Sequence, residues 1–350
     1  MPYPHGKSPS QRFRFEQYLD ILKEQGFKFS LHPFYTDKTW EILHWEGHTF
    51  SKIIRVVWAF FIRFFQIFKS IRYNFVFIHR EVAPIGPPIL EWIIAKVLRK
   101  KIIYDFDDAI WLPNFSEANT KFQKLKYYTK VNGIMKWATK ISAGNQYLVD
   151  YAKQFNQNSI INPTTIDTEN YHNPALYSIK NEKIVIGWTG THTTAKYLDF
   201  LVPIIEKLSE EFDFEFQVIS NEVPSFDLSN LKFIKWNKES EIQDLLNFTI
   251  GVMPLTDDKW AKGKCGFKAL QYMALGVPAI ASPVGVNNEI IDHGKNGFLC
   301  STEHQWYEAL YYLLANPEET KKMHNNARQK IIDNYSVISN TNNFIKLLES

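Results

Sequence analysis

The run from Gly263 to Gly285, GKCGFKALQYMALGVPAIASPVG, sets two lysines, Lys264 and Lys268, around Gly266 at the start of a helical pattern. Gln271 follows one turn later, and Gly-Val-Pro breaks the pattern before the apolar run Ala279-Ile280-Ala281. If the helix begins near Gly266, Lys264, Lys268 and Gln271 share one stripe, and Phe267, Leu270 and Ala274 form an opposite stripe facing a core. Free N–H groups and the dipole at a helix start favour an anion, and Gly263 and Gly266 let backbone approach it closely. The lysines add charge, and the Gln271 amide suits a neutral polar group such as a ribose hydroxyl. The competing reading is a solvated helix start with surface lysines.

IGWTGTHTTAKYL (186–198) forms a second loop of this kind. A strand-like run enters Gly190, then Thr191-His192-Thr193-Thr194, then a helix carrying Lys196. Hydroxyls, backbone N–H groups and a lysine again suit phosphate, although neither G-x-G-x-x-G nor a Walker pattern is present. An ordinary capped strand-to-helix turn competes with this reading. In YDFDDAIW (104–111), Asp105, Asp107 and Asp108 cluster at the end of a strand. Carboxylates there can orient a sugar hydroxyl, act as a base or bind a metal; capping of a following turn is the plainer use. Continued as a strand, the run points Asp105 and Asp107 to one side and Asp108 to the other. His79-Arg80-Glu81 ends the preceding strand-like run and lies beside the cluster if the two strands are neighbours. No His/Cys spacing suggests zinc, and no G-x-S-x-G nucleophile elbow occurs.

The elements that must carry these loops alternate. A helix is expected over 11–25, with Ser10 as N-cap and Gly26 past its end. A strand follows at 27–34, a helix at 49–71, a strand at 75–79, a helix at 89–100 and a strand at 101–106. Helices at 118–138 and 145–154 flank the strand-like KISAG, and NSIINP closes the half. Residues 163–182 read as a polar linker with Pro163 and Pro174. A second series then sets strands at 183–189, 214–220, 231–235, 248–254, 277–281 and 297–300. Its helices fall at 195–211, 239–247, 266–275 and 303–315, with a helical tail at 318–333 and 337–349. Such alternation means parallel βαβ units, so the expected fold is α/β: two doubly wound domains facing a cleft that holds the ligand. The expected domains are 1–163 and 183–334, joined by 164–182, with helix 335–350 packing back on the first. No strand-like run precedes Pro2, so the first domain is expected to lack the strand that normally opens such a fold.

The chain has 350 residues, 45% of them hydrophobic and 22% charged, which is ordinary for a globular protein of two domains. A net charge of +3 gives no reason to expect nucleic acid as a partner. Two cysteines, Cys265 and Cys300, make no disulfide framework and fit a reducing, cytoplasmic setting. Residues 53–68, IIRVVWAFFIRFFQIF, fall short of the roughly 20 apolar residues that span a bilayer and are broken by Arg55 and Arg63. With Lys52, Lys69 and Arg72 flanking it, helix 49–71 suits either an anionic membrane surface, making the protein peripheral on the inner face of the cytoplasmic membrane, or a core position with outward arginines.

On these residues the C-terminal half resembles family 4 of the retaining glycosyltransferases, with the GT-B fold. GVMPL, the Gly263–Gly285 run, VNNEII and NGFL follow that family's donor-binding segment, and INPTTIDTENY resembles its interdomain linker. RFRFEQYL, HREVAPIG and YDFDDAIW resemble a bacterial branch linked to surface polysaccharides. The resemblance covers essentially the whole chain and is most specific in the last third. It implies a nucleotide-diphosphate sugar as donor, a glycan or lipid-linked acceptor, and neither cofactor nor metal. The implied donor set is Gly190, Thr191, His192, Lys196, Lys264, Gly266, Phe267, Lys268, Gln271 and Glu289. Arg80, Glu81, Asp105 and Asp107 fall to the acceptor, and Lys268, Asp107 and Asp108 to catalysis. The family's E-x7-E pair lands on Gly263 and Gln271, and its Gly-Arg on Gly190-Thr191, so Lys268 becomes the substitute cation. A sugar-nucleotide 2-epimerase of the same fold and a non-catalytic nucleotide-sugar-binding subunit are the alternatives.

Overall fold

The computed structural model describes residues 1–43, 45, 47–113, 123–178 and 183–349. The chain divides into two compact units, Met1–Thr164 with Thr341–Ser350, and Thr165–Asn340.

The first unit is built on four parallel strands, β1 (Phe75–His79), β2 (Lys101–Phe106), β3 (Lys140–Ala143) and β4 (Ser159–Ile161), in the order β1-β2-β3-β4. FVFIH and KIIYDF are continuous apolar runs rather than alternating ones, as strands covered on both faces require. Ile78, Ile102, Tyr104, Phe106 and Ile141 are fully buried there. The register sets His79 opposite Asp105, and Asp105 opposite Ser142. Three polar side chains therefore stand side by side on one face of an apolar sheet. The helix Val337–Leu348 ends in this unit, where the Phe344 ring stacks on Tyr18 with centroids 4.4 Å apart.

Sequence pattern and structure part at several places. The helix expected over 11–25 is broken into Pro9–Arg14, a 3₁₀ turn Glu16–Tyr18 and Leu19–Glu24, and Ser8 rather than Ser10 takes the N-cap position. The strand expected at 27–34 is irregular chain; of its backbone, Phe34 N–H reaches Met1, and no ladder forms. The helix expected over 118–138 appears as Gln123–Lys126 and Lys130–Trp137, its earlier part lying outside the described residues.

The second unit holds six parallel strands, β5 (Val185–Thr189), β6 (Glu215–Ser220), β7 (Leu231–Lys235), β8 (Ile250–Met253), β9 (Ala279–Ala281) and β10 (Gly297–Leu299). Their order is β10-β9-β8-β5-β6-β7. The chain leaves β5 towards one edge and β8 towards the other, so the carboxyl ends of these two neighbours form the topological switch point, where open α/β sheets bind ligands. Trp188, Phe216, Val252, Ile280 and Trp306 belong to one core beneath it. The helix expected over 195–211 is split into His192–Ala195, a 3₁₀ turn Lys196–Leu198 and Val202–Ser209; Pro203, which lacks an N–H, sits in the first turn of the last piece.

Candidate functional site

The switch point of the second unit gathers most of the expected donor residues. From β5 the chain enters Gly190, where a Cβ would lie 2.5 Å from the Trp188 ring, so only glycine fits beneath the loop. Thr191 precedes the short helix His192–Ala195. His192 is fixed from β6: its N–H donates to Asn221 Oδ1 (2.9 Å), and the Asn221 amide lies 2.8 Å from its Nδ1. Lys196 follows, near enough to Asp258 to help lower that carboxyl's pKa. Burial alone would raise it, but bonds from Thr256, Ala261 and Trp260 act with the lysine to outweigh burial.

From β8 the chain reaches the helix Phe267–Ala274 through Gly266, which takes a left-handed φ of 66°. A Cβ there would also meet Ile290 Cδ1 at 2.2 Å. The helix is seated on the end of β5 by two contacts. Thr189 N–H donates to the Tyr272 hydroxyl (2.9 Å), and Lys268 Nζ lies 5.3 Å from the centre of the Trp188 ring. Lys268 is half-buried, as is Lys264, whose Nζ lies 5.7 Å from the Trp260 ring centre. The helix N-terminus, Lys268 and the Gly190 loop thus converge on the carboxyl ends of β5 and β8, with Lys264 beside Trp260 just ahead of the helix.

Two expectations for this helix are corrected. Phe267 is half-exposed rather than part of the core stripe, because the helix packs through Ala269, Leu270, Tyr272, Met273 and Ala274. Gln271 lies on that packed side: it is 1% exposed, and its Nε2 is 3.4 Å from both His172 Nε2 and Glu241 Oε1. Its amide ties the helix to the chain entering the unit. Glu241 itself, 6% exposed, also receives the Tyr171 hydroxyl at 3.2 Å and the Trp236 indole at 3.4 Å. Glu289 is exposed on the helix Asn287–Ile290. Neither His172 nor Glu241 was singled out from sequence. They sit 69 residues apart on an irregular segment and a short helix, where no spacing links them.

In the first unit the carboxyl ends of β1 and β2 carry a buried ionic network. Asp105, fully buried, is gripped by Arg14 and accepts from Ser142 Oγ (2.6 Å), and its Oδ2 is 2.7 Å from His79 Nδ1. Arg14 also donates to the Asn162 carbonyl. Burial pushes the Asp105 carboxyl up, but Arg14 and the His79 hydrogen bond outweigh it and hold it well below the ordinary range. His79 Nε2 lies 2.8 Å from Ser10 Oγ, which explains why Ser10 does not cap its helix. Arg80 follows with a positive φ of 58°, a strained value for a side-chain-bearing residue. Its guanidinium meets Asp107 at 2.7 Å and Asp108 at 2.6 Å. Burial would lower the Arg80 pKa, yet the two carboxylates raise it well above the ordinary value, and Arg80 in turn holds Asp107 down against burial. Glu81 pairs with Lys130 at 2.6 Å.

This arrangement corrects the strand geometry read from sequence. The chain turns after Phe106, so Asp107 and Asp108 share the Arg80 guanidinium while Asp105 is held by Arg14, and Ser10, bonded to both His79 and Asp107, links the two groups. Asp105 is placed to hold the strand ends together rather than to meet an acceptor, and a shared metal at Asp105 and Asp107 has no support in this geometry. Among the described residues no cluster of three His, Cys, Asp or Glu could hold a metal ion. Arg80, Glu81, Asp107 and Asp108, 12–25% exposed in their side chains, are the members that open to solvent. The sequence reading missed Arg14 and Ser142 and gave Ser10 a capping role; the register of β2 and β3 was the signal for Ser142, and none pointed to Arg14.

Residues 183–316 match the family of glycosyl transferases group 1. None of the curated proteins matches the sequence. Among solved structures, HepE from Anabaena, in complex with UDP and glucose, aligns with a TM-score of 0.63 at 14% identity, covering 95% of this chain and 89% of that one. A glycosyltransferase from Rickettsia africae aligns at 0.61 and 14% identity, covering 95% and 88%. TarM of S. aureus aligns at 0.56 and 15% identity over 72% of this chain, which spans about half (51%) of TarM's length. At these identities the likeness is one of fold. That fold is GT-B, with two Rossmann-like units.

Proposed function

We propose that the protein is a retaining glycosyltransferase that moves a sugar, of hexosyl type, from a nucleotide-diphosphate donor to a glycan or lipid-linked acceptor in cell-surface polysaccharide synthesis. The observation that carries the reading is the switch point of the second unit. There a glycine loop and a helix N-terminus bearing Lys268 meet at the carboxyl ends of two strands, inside the segment that matches the group 1 family. Neighbours of this fold include one described with UDP-glucose. Phosphate oxygens suit the N–H groups at Phe267 and Lys268, with Lys264 and Lys196 as further cations. As the anomeric C–O bond breaks, negative charge grows on the leaving diphosphate, and these groups stabilise it where it forms. The acceptor oxygen attacks from the same face, and its proton passes to the departing phosphate, so no carboxylate nucleophile is needed. Arg80, Asp107 and Asp108 of the first unit are assigned to the acceptor. Asp107 and Asp108, both paired with Arg80, are suited to accept hydrogen bonds from sugar hydroxyls.

The helix Thr49–Phe68 supports an anionic membrane surface as a further partner. Phe50, Val57, Trp58, Phe61 and Phe65 are each more than half exposed. No acidic residue occurs from Gly47 to Arg80, whereas Lys52, Arg55, Lys69 and Arg72 do. Apolar insertion with cationic flanks is the pattern of helices that lie on anionic lipid. No described helix is long and apolar enough to cross a membrane.

Hydrogen exchange with a panel of nucleoside diphosphates tests the donor site. A bound nucleotide should slow the amides of 189–194 and 266–268. Protection confined to other segments would remove the assignment.

A further inference from the structure

Ser10 stands between the two ionic groups of the first unit. Its Oγ lies 2.8 Å from His79 Nε2, and it also bonds the Asp107 carboxylate. The other ring nitrogen, Nδ1, is 2.7 Å from Asp105 Oδ2. Asp105, His79, Ser10 and Asp107 therefore form one hydrogen-bonded relay, carried by β2, the end of β1, the helix Pro9–Arg14 and the turn after β2. Its inner half, Asp105 and His79, is fully buried; Ser10 is half-buried, and Asp107 is the end that reaches solvent.

An ionised carboxylate only accepts, a serine hydroxyl has one proton to give, and an imidazole donates from both nitrogens only when it is charged. Burial raises both carboxyls of the relay, but Arg14 at Asp105 and Arg80 at Asp107 outweigh it, so both accept. His79 Nδ1 must then carry the proton that it gives to Asp105, and that bond fixes what Nε2 can do. In a neutral ring Nε2 is an acceptor and takes the Ser10 proton, which leaves the Ser10 oxygen facing Asp107 lone pair to lone pair. In a charged ring Nε2 donates to Ser10, and the Ser10 proton goes to Asp107. The bond between Ser10 and Asp107 thus lasts only while His79 carries both protons. Charge points the same way. Arg14 and Arg80 face Asp105, Asp107 and Asp108, two guanidiniums against three carboxylates, and a charged His79 balances the set. Glu81 is matched by Lys130, Ser142 of β3 adds a hydroxyl, and the Phe15 ring, 5.6 Å from the imidazole, adds no charge.

We propose that Ser10 is a positioning residue switched by His79: its one proton holds Asp107 in place while the ring is charged and is withdrawn to Nε2 when the ring is neutral. Given the assignment of Asp107 to the acceptor, on which this rests, acceptor affinity falls as pH rises through the His79 midpoint. Asp107 there loses a donor and meets a repelling lone pair. Titration of Asp107 itself has the opposite sign, since a carboxylate loses its accepting power as pH falls.

Nitrogen NMR of the full chain, labelled in its histidine rings, tests the switch, with His79→Gln to identify the signals. The pH at which the His79 ring loses its proton is the readout. Asp107→Asn is expected to lower that midpoint by about one pH unit, a tenfold loss of proton affinity. In a Ser10→Ala background the same substitution is expected to lower it by less than half as much, and Ser10→Thr, which keeps the hydroxyl, should restore the full shift. Should Ser10→Ala not fold, Ser10→Cys takes its place, because a thiol is a weak donor. Charge acting through space alone gives equal shifts with and without the Ser10 hydroxyl. Equal shifts, or a ring that never titrates while the sheet persists, would overturn the proposal. For an acceptor that is glycosylated, KM is expected to rise through the same midpoint with kcat unchanged, and a KM that does not move there would cut the switch from the acceptor. The titrations need no substrate, so they judge the switch even where no transfer is observed, a result that would strike the proposed function instead.

Discussion

Replacing Asp105 by Asn keeps the shape of the β2 end and removes its charge. In the wild type that carboxylate faces the Arg14 guanidinium, the Ser142 hydroxyl and the His79 ring with no solvent access. The substitution leaves Arg14 a buried cation without its counter-charge. Breaking such a buried pair from one side costs about 3–5 kcal/mol, far more than the roughly 1 kcal/mol of a surface pair. The local free energy of opening can be read in the first unit alone, from amide exchange in β2 and β3. A loss of about 3–5 kcal/mol means exchange about 10² to 10⁴-fold faster at Ile102–Phe106 and Ile141–Ala143. The pH dependence has a definite sign. The folded pKa of Asp105 lies below the unfolded value of about 3.9, so its contribution is fully present above that pH and is lost as pH falls through the acid range. Wild-type β2 and β3 should therefore open more readily below about pH 4, and the Asn variant should show a much flatter profile. Less than about threefold faster exchange in the variant, or the same pH profile as wild type, would show that the network does not hold the strand ends.

Lys268→Ala should lower turnover by about 10²–10³, the loss typical of one transition-state donor, with folding intact because its partner is the ring face of Trp188; near-wild-type turnover in folded protein would misplace the diphosphate. Gln271→Ala should act on stability, because the amide is packed against His172 and Glu241. A loss of about 1–3 kcal/mol lowers Tm by roughly 2–4 °C for each kcal/mol, and an unchanged Tm with weakened nucleotide binding would restore the ribose contact. Trp58→Glu with Phe61→Glu, both exposed, should abolish flotation with vesicles containing anionic lipid; binding that survives the pair, or wild-type protein that never floats, would remove the membrane as a partner.

Much of the frame was legible because parallel strands announce themselves. FVFIH, KIIYDF and the inner strands VIGWT, IGVM and AIA of the second unit are apolar runs, and a strand buried on both faces leaves that mark in sequence, whereas the edge strand β7, LKFIK, shows it less. The phosphate-type loops were legible for the same reason: glycine where backbone crosses a ring or turns left-handed, as at Gly190 and Gly266, is a local property. What sequence hid was the partner of each polar residue. Ser10 looks like a helix cap until the sheet brings His79 to it. Gln271 looks solvent-facing until the segment at His172 packs over it. The division of three aspartates between two guanidiniums depended on a turn after Phe106 that no alternation rule contains.

Nucleoside diphosphate release, followed with and without acceptor, tests the central claim most directly. A donor selected by the exchange panel is incubated with glycan and lipid-linked acceptors, and the anomeric configuration of the product is read by NMR. The account predicts release that depends on acceptor and a product that keeps the donor's anomeric configuration. Release at the same rate without acceptor, an inverted anomer, or no turnover from any donor that binds would contradict it.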